Sequence, residues 1–198
     1  MTEATPIDRR LVLRWTRATW LGWLLGIPII AGLALAGEAI GIGGAQVIVG
    51  AGMGAGIGLV QGRMMRGVLP KWGPWVWSCT VGLAAPFLVT DVAKVIGRDV
   101  GYALFASVAV GGLIVGGWQS VILRARFRNT HWWVVASVLG WTLAAGTSSA
   151  ADFLSRSHSL RGLAGALAYL GIVASGGLVL GLVTGVCLAW MVQHEHAD

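Results

Sequence analysis

Charge is what this chain has least of. Asp, Glu, Lys and Arg together make up 11% of its 198 residues, under half of the roughly 25% typical of a soluble domain. Proline is scarce as well, at five residues, which fits neither a collagen-like nor a proline-rich disordered chain. The two cysteines, Cys79 and Cys187, each sit inside an apolar run, so they support neither a disulfide framework nor a four-ligand metal site. No histidine falls in the middle of an apolar run. His131 opens one, His158 lies between two, and His194 and His196 belong to the tail, so axial ligation of a buried haem has no candidate. Ser148 and Ser149 lie near Asp152 but have only His158 in reach, and no nucleophile–His–acid set assembles. The sequence therefore predicts no catalytic residues, no metal and no cofactor.

What the chain has is apolar surface: 56% hydrophobic residues, a mean hydropathy of +0.77, 31 glycines and 11 tryptophans. This composition predicts an all-α integral membrane protein. The net charge of +6 comes from basic residues in short clusters between apolar runs, a pattern of membrane flanks and not of a nucleic-acid surface. A bilayer core about 30 Å thick needs roughly 20 apolar residues per helix. Six spans meet that need, at 16–37, 44–63, 73–93, 101–123, 132–151 and 164–191, in one transmembrane domain covering 1–198 with short tails. The first run is too long for a cleavable signal segment and is expected to stay in place. Ten basic residues fall on one side: Arg9, Arg10, Arg14, Arg17, Arg63, Arg66, Lys71, Arg124, Arg126 and Arg128. Lys94, Arg98, Arg156 and Arg161 fall on the other. That bias puts both termini in the cytoplasm, with a bacterial inner membrane as the expected location.

An internal repeat runs through the spans. Gly54, Gly58, Gln61, Arg66, Trp75, Val76 and Gly82 recur, without a gap, as Gly112, Gly116, Gln119, Arg124, Trp133, Val134 and Gly140. The unit is G-x3-G-x2-Q at the end of one helix, a basic turn, then W-V-x6-G opening the next. The last span carries a degenerate copy in Gly177, Gly181 and Thr184. The first matches the fifth through Trp15, Ala18, Leu21, Gly22 and Trp23 against Trp133, Ala136, Leu139, Gly140 and Trp141. Two kinds of helix thus alternate, and three degenerate two-helix repeats form if the last span packs beside the first. The expected fold is a closed, pseudo-threefold bundle of six helices. The pattern resembles a group of small, uncharacterised bacterial multi-pass proteins in which G-x3-G-x2-Q, L-R and W-V elements recur. That resemblance implies the architecture and carries no activity.

The singled-out residues fall into four sets. Gly54, Gly58, Gly112, Gly116, Gly177 and Gly181 are expected to let helices approach closely, since packing in lipid works through small residues. Gln61, Gln119 and Thr184 read either as interhelical hydrogen-bonding groups or as the lining of a polar path. Trp15, Trp75 and Trp133, with Arg66 and Arg124, read as interface anchors, although the tryptophans crowd one side and read alternatively as a cytoplasmic vestibule or partner surface. Glu38, Asp91 and Asp152 lie toward the outer ends of their helices, and Asp91, the deepest, reads either as a structural partner of Lys94 three residues on or as a group that handles cations or protons. The leading functional expectation is a non-enzymatic scaffold or accessory subunit, with the lipid bilayer and other membrane subunits or further copies of itself as partners. A small transporter or channel with a path at Gln61, Gln119 and Thr184 is the alternative. A lipid- or quinone-binding protein comes third.

Overall fold

The computed structural model describes residues 7–69, 71–98, 103–157 and 162–195; His158, Arg161 and His196 lie outside them. Six helices follow one another: α1 (Arg9–Ala39), α2 (Gln46–Met64), α3 (Gly73–Val95), α4 (Ala103–Leu123), α5 (His131–Ser157) and α6 (Gly162–Glu195). All six are long and apolar enough to cross a membrane. Helix is the form such segments take in lipid because it satisfies every backbone group internally.

The ends differ most from the apolar runs. Helix α1 begins at Arg9, before the expected start at 16, because Asp8 caps it. Its carboxylate accepts the amides of Arg10 and Leu11 at 2.9 and 3.3 Å. At the far end of α5 the helix continues past 151 to Ser157, where the Ser157 hydroxyl donates to the Phe153 carbonyl and Arg156 Nε to the Asp152 carbonyl. Hydropathy delimits only the apolar stretch, while caps and side-chain bonds to terminal carbonyls extend the helix beyond it.

Among the described residues each helix packs on its two neighbours in sequence, and α6 packs on α1. The helices therefore close into a six-membered ring with alternating directions, which gathers the ends of α1, α3 and α5 that come first with the ends of α2, α4 and α6 that come last. Arg14, Met64, Phe127 and Val192 meet at this basic end. Large apolar side chains such as Leu13, Leu35, Val89 and Leu163 are exposed on the ring's outside, a distribution that suits an apolar surrounding.

Glycine sets the spacing. A Cβ on Gly54 would strike the carbonyl of Cys79, and one on Gly58 would lie 3.0 Å from Val76 Cα, so α2 lies against α3 almost backbone to backbone. On α4, Gly112 and Gly116 hold the same relation to Val138 Cα (3.1 Å) and Val134 Cα (3.0 Å) of α5. On α6, Gly177 and Gly181 hold it to Trp20 Cα (3.1 Å) and Thr16 Cα (2.7 Å) of α1. The other interfaces have glycine on the opposite partner: Gly22 of α1 meets Ile57, Gly82 of α3 meets Val115 and Gly140 of α5 meets Leu180. Helix α2 is approached from both sides, with Gly56 packed on Gly22 and Gly26 of α1. Each glycine in a helix costs about 1 kcal/mol relative to alanine, and the close approach it permits restores dispersion contacts along the whole interface.

Two substitutions separate contact from propensity. Gly54→Ala is expected to lower the thermal midpoint in detergent, at a cost of about 1–3 kcal/mol, because the helices must part. Gly117→Ala, whose Cβ would meet nothing, is expected to keep or raise it by up to about 1 kcal/mol. Equal effects at the two positions would show that Gly54 is not in close contact.

Candidate functional site

The ring centre is built in layers by the inward faces of all six helices. Nearest the basic end, Trp15 of α1, Trp75 of α3 and Trp133 of α5 meet on the axis. They are 0, 0 and 1% exposed, and their ring centroids stand 6.1, 5.7 and 5.8 Å apart. Trp15 is edge-on to both of the others, the arrangement that sets positive ring edges against negative faces and contributes about 0.5–1.5 kcal/mol per pair beyond burial. These three residues are not the interface anchors the sequence suggests. Their depth along the helix fits an interfacial belt, but the helix face that carries them turns inward. Arg66 and Arg124 are exposed at the basic end, and the Arg66 guanidinium lies 4.7 Å from the Trp72 ring centre.

An indole N–H can only donate, and in a dry interior it needs an acceptor. Trp75 Nε1 donates to Gln61 Oε1 at 3.2 Å, Trp133 Nε1 to Gln119 Oε1 at 2.9 Å and Trp15 Nε1 to Thr184 Oγ1 at 2.9 Å. This fixes which way each amide faces, and their NH2 groups point to the preceding odd-numbered helix. Gln61 Nε2 donates to Thr19 Oγ1 of α1 at 2.9 Å and Gln119 Nε2 to Cys79 Sγ of α3 at 3.1 Å. Each glutamine therefore ties the helix before its own to the helix after it. Thr184 is shorter. Its hydroxyl donates to the Leu180 carbonyl of its own helix at 2.7 Å, and Ser137, which stands on α5 as Thr19 and Cys79 stand on α1 and α3, borders a void of about 10 Å³ beside it. That is about the least space one water requires. Thr19, Cys79 and Ser137 carry no mark of function in the sequence; the readable signal is that each lies four residues, one helical turn, after its tryptophan.

Beyond this polar layer Trp23 and Trp141 pair at 6.2 Å between ring centres. They border a cavity of about 260 Å³ to which every helix contributes and whose walls are almost wholly apolar, Ser148 being the one hydroxyl. Ile27 and Phe87 stand twelve residues after Trp15 and Trp75; the position twelve after Trp133 holds Ala145, a much smaller side chain on the same cavity lining.

The three acids do not converge. Asp91 of α3 accepts the amides of Gln46 and Val47 at 3.0 and 2.8 Å, capping α2, whose own N-cap residue Ala45 offers no side-chain bond. A carboxylate at a helix N-terminus meets free N–H groups and the positive end of the dipole. Its carboxylate is thus committed to a neighbouring helix, where the sequence pointed to Lys94. Asp152 accepts the Tyr169 hydroxyl at 2.9 Å, linking α5 to α6, and Glu38 is exposed at the end of α1. Among the described residues no three His, Cys, Asp or Glu side chains gather as a metal site. No protein-family model matches the chain, and neither a curated protein nor a solved structure matches it.

The buried amides give a direct test. Gln119→Leu strips the acceptor from Trp133 and the donor from Cys79 and is expected to cost about 1–3 kcal/mol in thermal or denaturant unfolding. Combining it with Gln61→Leu is expected to lower the yield of folded protein. A double variant as stable as the parent would exclude a structural role for these bonds.

Proposed function

We propose that the chain is a non-enzymatic multi-pass protein of a bacterial inner membrane, serving as a packing scaffold or accessory subunit of a larger membrane complex. In this reading it consists of three two-helix units about a pseudo-threefold axis, with the basic end and both termini in the cytoplasm. The observation that carries it is the stopper on the axis: Trp15, Trp75 and Trp133 in mutual contact, with their N–H groups bonded to Gln61, Gln119 and Thr184. The polar groups that a path or a reaction would use are engaged in holding helices together.

Three sets of matched residues support the three-unit arrangement: the glycine pairs on α2, α4 and α6, the single glycines Gly22, Gly82 and Gly140, and the tryptophan bonds at the centre. Basic residues concentrated at one end support the orientation. A conducting path through Gln61, Gln119 and Thr184 would have to break three indole bonds and part three rings, so transport ranks below the scaffold. Exposed Trp77, Trp118 and Trp132 give the outer surface aromatic groups of the kind that anchor protein contacts.

Purification in mild detergent, followed by mass spectrometry of the native assembly, tests the reading. The expected outcome is a second membrane subunit at fixed stoichiometry. A lone chain, or reconstituted vesicles that pass small solutes faster than empty ones, would overturn it.

A further inference from the structure

The apolar cavity beyond Trp23 and Trp141 is a different feature from the polar stopper. Its position, size and lining all bear on one occupant. Water is a poor candidate, since the walls are almost wholly apolar and a water would find at most two polar groups, the Ser148 hydroxyl and the Trp23 indole N–H, which is buried without a partner. A polar solute fails for the same reason. Scaled from the 150 Å³ cavity that accommodates benzene, 260 Å³ holds on the order of ten carbon atoms. That is too little for a sterol or a whole lipid and enough for part of one hydrocarbon chain. Along α1 the lining runs from Trp23 to Ile30, about 10 Å by helical rise, so the space is elongated along the axis. The cavity is not closed off: Ile27 of α1 and Val49 of α2 on its lining are exposed, whereas Leu83, Phe87 and Val108 of α3 and α4 are buried.

We propose that the cavity holds the end of a single lipid acyl chain, which enters past Ile27 and Val49 from the leaflet opposite the basic end. The proposal rests on the membrane reading above. The feature that makes room for the chain is Ala145, standing where α1 and α3 carry Ile27 and Phe87. The lipid's ester and headgroup remain outside the ring, and the chain end meets Trp23 and Trp141.

The test uses the full-length protein in vesicles of phosphatidylcholine brominated near the ends of its acyl chains, because bromine quenches an indole it touches. The wild type is compared with Ala145→Phe, which fills the cavity, and with Leu143→Phe, at an exposed position of the same helix. Ala145→Leu serves as the smaller filler if the phenylalanine variant fails to fold. Filling is expected to recover the emission of Trp23 and Trp141, up to two parts in eleven of the tryptophan total, with Leu143→Phe quenched as the wild type is. Equal quenching in all the variants would overturn the proposal. So would a short-chain quinone that quenches the wild type but not the filled variant while brominated lipid does neither, since the occupant would then be a carbonyl-bearing ring. Flotation of the vesicles separates the two readings: protein that fails to float with lipid defeats membrane insertion itself, whereas inserted protein with unchanged quenching defeats only the bound chain.

Discussion

Three indoles meeting on one axis, each with its only donor bonded to a neighbouring helix, are the contact on which the other features of this ring depend. Every helix takes part: α1, α3 and α5 supply the rings, and α2, α4 and α6 supply the acceptors. A ring of six helices with no central helix has an axis to fill, and tryptophan is the largest side chain available for it. Its one polar atom must then be satisfied in a dry interior, where an unpaired N–H costs about 1–3 kcal/mol. Glutamine meets that need and has an NH2 group left over. The spare donor bonds Thr19 or Cys79 on the third helix of each junction, so burying a polar group becomes a way of fixing helix order.

Glycine makes the stopper possible. Hydrogen bonds of about 3 Å across three helices require the backbones to come close, and the glycines at 54, 58, 112, 116, 177 and 181 remove the atoms that would prevent it. The two devices are coupled in sequence because Gln61 and Gln119 follow their glycine pairs by three residues and share a helix face with them. Thr184 shows the limit of the scheme. With a shorter side chain it still accepts from Trp15 but turns its own donor back to Leu180.

Packing also differs between the two ends of the axis. One end is sealed by Trp15, Trp75 and Trp133 with all three indole donors satisfied; at the other the buried N–H of Trp23 lacks a partner, and a small residue, Ala145, stands at a position where its counterparts are Ile27 and Phe87, beside a cavity. The seal makes the polar residues structural, which favours a packing role over a conducting one. The cavity adds an apolar space that hydrocarbon can fill without any polar partner. The scaffold reading and the bound-chain reading therefore draw on opposite ends of the same axis.

By itself the sequence determined the six helices, their approximate limits and the glycine positions that bring them together, because apolar length and small-residue spacing are properties of one segment at a time. The Gln61 and Gln119 positions were legible as buried amides for the same reason. What only the tertiary structure decided was the direction in which side chains face. Trp15, Trp75 and Trp133 lie toward the first ends of their helices, and nothing in a single helix tells whether an indole faces outward or meets two other indoles. Asp91 looked like a partner for Lys94 along its own helix, yet the free amides of α2 lie across the interface and bind its carboxylate. The cavity could not be read at all, since Ala145 is unremarkable until Ile27 and Phe87 stand opposite it. Depth is set by sequence distance, but facing is set by neighbours that only the closed ring supplies.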